Sequence, residues 1–218
     1  MGRLSFVQED IADGVERIED EIVQYANADK DMIRLATGWE EHEQYEFKQE
    51  SPSFRQRVRR IRTIYQPTDI ATTVDSYSQM DNYNLTTKSK QVNVKTNKES
   101  ETTIVTSVDM FRQFKYASNR GMLKLRCTYP VIGYDNLKWE VDFFYNKESI
   151  RNKIYNEFYP VVKIDLEIPQ GTILNEVPKL PAGFINPIMS SKHGGSQADE
   201  EKVRQYYQDY FIYNPQIH

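Results

Sequence analysis

Apolar and charged residues alternate one for one through three segments in the second half of the chain. They are Leu123-Lys124-Leu125-Arg126-Cys127, Trp139-Glu140-Val141-Asp142-Phe143 and Val162-Lys163-Ile164-Asp165-Leu166-Glu167-Ile168. A period of two belongs to a strand, so each segment is expected to turn one apolar and one charged face. The charges carry a pattern of sign: two cations in the first segment, two carboxylates in the second, one Lys and two carboxylates in the third. A half-buried sheet with one wet face alternates in the same way. Same-sign pairs at i, i+2 are harder to place on such a face, because like charges repel along it and solvated surfaces mix signs. They suit a polyanion held by cations beside a metal held by carboxylates.

The rest of the pattern predicts helices at both ends and strands between. Val7, Ile11, Val15, Ile18 and Ile22 recur at spacings that predict an amphipathic helix over 6–26. A second helical turn is expected from Lys30 to Ala36, ended by Gly38. Near Tyr45 the chain turns extended, with Tyr45 and Phe47 on one face and Glu46, Lys48 and Glu50 on the other; Ser51-Pro52-Ser53 is a turn. The arginines Arg55, Arg57, Arg59, Arg60 and Arg62 follow. Such a run reads as a solvated edge, a nucleic-acid patch, or a strand whose alternate arginines meet phosphate oxygens. Residues 64–82 read as a strand and a loop, Tyr83 to Lys90 and Glu99 to Ile104 as further strands, and Val108, Phe111 and Phe114 as the core stripe of a helix. Between Asp142 and Val161, the spacing of Ile150, Ile154 and Phe158 predicts a short helix. Pro169, Pro178, Pro181 and Pro187 exclude long regular elements there. After a Gly-containing linker over 190–197, Val203, Tyr206, Tyr207, Tyr210 and Phe211 mark an amphipathic helix over 198–213, whose aromatic side must pack on the same domain or on another subunit.

Composition narrows the class. The 218 residues suit one domain, and 39% apolar content with a net charge of −4 describes a soluble globular protein without general DNA binding. No apolar run long enough for a membrane span and no signal peptide are expected, so the expected setting is intracellular and cytoplasmic; a virion component reads the same way. The single cysteine, Cys127, excludes an internal disulfide and reads as a small core residue. Glycine-rich phosphate loops are absent, and His42, His193 and His218 have no metal-ligand spacing. The expected organisation is a helical segment over 1–38, a strand-rich domain over 39–190, and a linker with a helix over 191–218.

Lys124-x-Arg126, Trp139 to Phe143, and the apolar strand ending Asp165-x-Glu167 before Pro169 together resemble the CYTH superfamily, the triphosphate tunnel metalloenzymes. The likeness runs over residues 44–188. It includes Gln44-x-Glu46-x-Lys48 against the family's Glu-x-Glu-x-Lys, Arg57-x-Arg59 against its Arg-x-Arg, Leu85-Thr86-x-Lys88 against its Leu-Thr-x-Lys, and Glu99-x-Glu101 before a helix. The resemblance implies an α+β fold: about eight antiparallel strands in a closed or nearly closed tunnel, with flanking helices. It implies hydrolysis of a triphosphate chain with Mg²⁺ or Mn²⁺ held by Glu46, Asp165 and Glu167, phosphate held by Arg57, Arg59, Lys88, Lys124 and Arg126, and chemistry carried by Glu140, Asp142 and Lys124. The ligand would be inorganic tripolyphosphate, a nucleoside triphosphate, thiamine triphosphate or an RNA 5′ end. Gln44 departs from the pattern, offering a neutral oxygen where the family has a carboxylate. That departure motivates a second reading, a non-catalytic phosphate- or nucleotide-binding or interaction protein of the same fold. The terminal helices would then serve a second copy or a protein partner.

Overall fold

The computed structural model of the chain describes residues 10–11, 20–48, 54–65, 84–93, 98–118, 120–146, 157–169, 172–189, 196–210 and 212–213. Its strands are β1 (Asp10–Ile11), β2 (Asp20–Ala28), β3 (Gly38–Lys48), β4 (Phe54–Ile64), β5 (Asn84–Asn93), β6 (Lys98–Val105), β7 (Arg120–Val131), β8 (Tyr134–Phe144), β9 (Val161–Ile168), β10 (Phe184–Met189) and β11 (Ile212–Tyr213). A 3-10 helix spans Lys30–Leu35, α1 spans Val108–Ala117 and α2 spans Gln197–Tyr210. The strands form one sheet in the order β1-β6-β5-β4-β3-β7-β8-β9-β2-β10, with β11 on β7. All pairings are antiparallel except β1 with β6. Of the closed or nearly closed antiparallel tunnel expected from the sequence, the mostly antiparallel sheet with few helices is present, but among the described residues it is not closed by hydrogen bonds, since β1 and β10 end the path.

Register sorts the side chains onto two faces. Directly opposed residues share a face, and the pairs Lys124 with His42, Arg126 with Asp142, and Glu140 with Asp165 place the charged residues of β3, β7, β8 and β9 together. We call this the inner face. On β7, β8 and β9 the other, outer face is apolar: Leu125, Cys127, Trp139, Val141, Ile164 and Leu166 are all fully buried. They pack beneath Met32 and Ile33 of the 3-10 helix and beneath Leu174, Val177, Leu180 and Phe184 of the C-terminal stretch. Farther along the outer face, α1 lays Phe111 against Tyr45 and Val58. Cys127 is buried in this core, which pushes its thiol pKa up and leaves it inert.

The helix expected over 6–26 is not formed at its C-terminal end, where Asp20–Ala28 is strand β2. This strand lies between β9 and β10 inside the sheet, so residues 20–28 belong to the strand-rich unit and not to a separate helical segment. The physical reason is burial on both faces. Ile22, Gln24 and Ala26 are buried on the outer face, and Tyr25 is buried on the inner one, which hides the two-residue period. Eight in-register pairs with β9 then override the helical spacing of the isoleucines. At Asp10–Ile11 the expected helix is again strand, β1, paired in parallel with β6; its other residues before Asp20, and most of the helix expected before Phe158, lie outside the described residues, and Phe158 itself bridges Tyr145. The expected turn after Asp29 is the 3-10 helix, with the Asp29 carboxylate accepting from the Asp31 amide at its start.

Candidate functional site

The inner face is built by alternation on four neighbouring strands. On β7, Lys124 and Arg126 project from the face opposite Leu125; on β8, Glu140 and Asp142 project opposite Val141; on β9, Lys163 and Asp165 project opposite Ile164. Their centre is Arg126. Its Nε donates to Asp142 Oδ1 at 2.8 Å and its Nη2 to Asp142 Oδ2 at 3.1 Å, a two-pronged contact. Its Nη1 donates to Glu140 Oε2, and its Nη2 lies 3.6 Å from Asp165 Oδ2. Lys124 Nζ also donates to Asp142 Oδ2, and Lys163 Nζ donates to Asp165 Oδ2 at 2.5 Å.

Burial and charge act against each other here. Burial alone would raise Asp142, which is wholly buried, but Arg126 and Lys124 beside it hold its carboxyl well below the usual range. Burial lowers Lys124 to about 7; Asp142 opposes this, and the charges of Arg126, Arg59 and Lys163 add to it. Burial likewise opposes the charge of Lys163, yet Asp165 and Glu21 override it and hold its pKa above the usual lysine range. The Asp165 carboxyl is raised by burial.

On β3, His42 sits opposite Lys124 and is 2% exposed. Its Nε2 is 2.9 Å from Glu40 Oε2; an ionised carboxylate only accepts, so Nε2 carries the proton and donates. Burial lowers His42 to about 4, and the neighbouring Lys124 and Arg126 oppose its protonation. Glu40 is held below the ordinary range by that hydrogen bond.

The expected phosphate ligands come together by register. Arg57 pairs with Glu46 and Arg59 with Gln44, so both share the inner face with Lys124 and Arg126; the backbone of Lys88 is in register with Arg57. In this register Arg57 and Arg59 lie on the inner face, with Arg60 and Arg62 on the outer face. There Arg60 meets Glu43 at 2.7 Å.

The expected metal ligands are not brought together. Glu46 pairs with Arg120 at one end of β7, whereas Glu167 lies exposed opposite Glu21 of β2, one residue beyond the last pair of β9 with β8 and level with the other end. Glu46 Oε1 accepts from Gln44 Nε2 at 2.7 Å. Asp142 has both oxygens on Arg126 and Lys124, and Glu140 accepts from Arg126. The one buried oxygen of the three clustered carboxylates without a hydrogen-bond partner is Asp165 Oδ1. Among the described residues, no three acidic, His or Cys side chains form a group that could hold a metal ion. A Mg²⁺ ion keeps several waters and needs only one or two carboxylates, but Glu140, Asp142 and Asp165 each already accept from Arg126, Lys124 or Lys163, so these residues, as placed, do not fit one.

Three participants escape sequence reasoning. Lys163 is present in the alternating β9 pattern but is masked there by its acidic neighbours. His42 and Glu40 belong to the inner face because they precede Gln44 by two and four residues on the same strand, a signal that was available. Helix α2 adds a cover: Tyr210 stacks on Phe144 and donates its hydroxyl to the Val161 carbonyl at 2.8 Å, joining Tyr25 and Met122 in an apolar cluster at one end of the inner face.

No described helix is long and apolar enough to cross a membrane. No protein-family model matches the chain, and no curated protein matches it. Two solved structures are similar in outline, those of "the hypothetical protein NE1496" and "the inorganic triphosphatase NE1496". Each is 16% identical and covers 83% of this chain, with TM-scores of 0.43 and 0.44 over 95% and 92% of the respective chains.

Proposed function

We propose that the inner face binds the triphosphate chain of a small molecule or of an RNA 5′ end. The observation that carries this reading is the convergence of Arg57, Arg59 and Lys124 on one face, with Lys88 in register beside them, in a chain whose net charge is negative. Like charges brought together at a sheet face raise one another's free energy; at Lys124 burial is the larger cause of the lowered pKa, and Arg126 and Arg59 add to it. A multivalent anion lying across them reverses that cost, and the planar guanidinium forks of Arg57 and Arg59 suit phosphate oxygens.

Hydrolysis with Mg²⁺ or Mn²⁺, as the CYTH resemblance implies, asks for carboxylate oxygens that are here engaged by Arg126, Lys124 and Lys163. Binding without turnover is therefore the function this arrangement supports best. The test is thermal denaturation with tripolyphosphate, ATP and GTP. Binding to the folded state at a hundredfold excess over the dissociation constant adds about 2.7 kcal/mol of stability. No shift with any of the three at millimolar concentration contradicts the proposal; phosphate release that stops on chelation would restore the hydrolase reading.

A further inference from the structure

We infer that Arg126 fills, from within the chain, the cationic position at the centre of the carboxylate cluster, so that phosphate chains bind the inner face without a divalent metal. This rests on reading that face as a phosphate-chain site.

The geometry is that of a cage around one cation. Three carboxylates from two strands, Glu140, Asp142 and Asp165, all approach the guanidinium of a third, with Nε and Nη2 on Asp142, Nη1 on Glu140 and Nη2 3.6 Å from Asp165. Asp142 is fully buried, and the Arg126 side chain is 16% exposed. Register makes this arrangement intrinsic to the fold: Arg126 is directly opposed to Asp142, and Glu140 is directly opposed to Asp165 one row farther on.

A divalent ion entering this cage would have to displace a guanidinium that makes charge-assisted bonds in a water-poor setting. Such bonds are stronger there than in water. It would also bring a positive charge beside Lys124 and Lys163, which already hold Asp142 and Asp165. Gln44 adds no compensating anionic oxygen; its amide donates to Glu46. Arg126 thus takes the electrostatic part a metal would play, drawing the carboxylates together on the face that also carries Arg57, Arg59 and Lys124.

The experiment has two arms. In the first, Mn²⁺ alone is titrated into the ligand-free full chain and followed by the electron paramagnetic resonance signal of the free ion. Wild type leaves the signal unchanged into the millimolar range, whereas Arg126→Ala, which removes the one cation shared by the three carboxylates, takes up Mn²⁺. Micromolar uptake by wild type overturns the inference, and this outcome stands even if Arg126→Ala does not fold. In the second arm, the thermal shift given by tripolyphosphate is measured in EDTA and in Mg²⁺ or Mn²⁺. An undiminished shift in EDTA supports the inference. A shift seen only with metal overturns it while leaving the phosphate site standing, and no shift under either condition overturns the phosphate site itself.

Discussion

The rings of Phe144 and Tyr210 lie 3.8 Å apart and 6° from parallel, which seats the C-terminal helix on the same face that carries Lys124 and Arg126. Tyr210 is 3% exposed. Tyr210→Ala is expected to cost about 3 kcal/mol through lost packing, whereas Tyr210→Phe loses only the bond to the Val161 carbonyl, about 1 kcal/mol. Urea denaturation of the two variants separates these values. Equal losses would mean that the hydroxyl, and not the stacked ring, holds the helix.

His42 predicts a pH dependence. Its folded-state pKa of about 4 lies below the ordinary 6.5, so the unfolded chain takes up the proton first as pH falls. The stability contributed by neutral His42 is complete above pH 6.5 and is lost between 6.5 and about 4, by roughly 3 kcal/mol in all. His42→Gln should flatten that part of the curve. Measuring the urea midpoint from pH 7 to 4.5 for both proteins checks it; parallel curves would show that His42 does not titrate as the burial argues.

A second buried charge network lies on the outer face. Glu43 accepts from Tyr45 Oη at 2.5 Å and from Lys115 Nζ of α1 at 2.9 Å, and pairs with Arg60 at 2.7 Å. Arg60 is 1% exposed, so Glu43→Ala removes the anion beside a buried guanidinium and is expected to cost about 3 kcal/mol. Lys115 is 31% exposed, and Lys115→Ala should cost less than about 1 kcal/mol. Chemical denaturation gives both numbers, and the reverse ranking would contradict the account of how α1 is fastened.

Much of this arrangement is legible in the residues themselves. The alternation in β7, β8 and β9 marks both the buried outer face and the charged inner one, because each strand has one fully apolar side. The stripe of Val108, Phe111 and Phe114 marks α1, and the spaced aromatics after the glycines mark α2. What could not be read depends on partners distant in sequence. Strand β2 is buried on both faces, so its period vanishes, and its isoleucines fit a helix until β9 is there to pair with them. Carboxylates that look like metal ligands one strand at a time are neutralised by Arg126 only when the register sets it opposite Asp142, and register is not written in any single segment.

Arg57 and Arg59 offer the cleanest probe of the inner face. Lys124 and Arg126 hold buried Asp142, so replacing them confounds binding with folding. Arg57→Gln with Arg59→Gln keeps the side-chain stem as far as Cδ and a polar end, and removes two guanidinium forks from the half-buried part of the same face.

The measurement that bears most directly on the central claim is a calorimetric titration of tripolyphosphate into the wild type and into the Arg57→Gln, Arg59→Gln variant at low and high salt. The account predicts saturable wild-type binding that weakens with salt, and at least a tenfold loss in the variant, since each charge-assisted bond contributes about 1.5 kcal/mol or more. Absence of wild-type binding, or equal affinity in the two proteins, would contradict it.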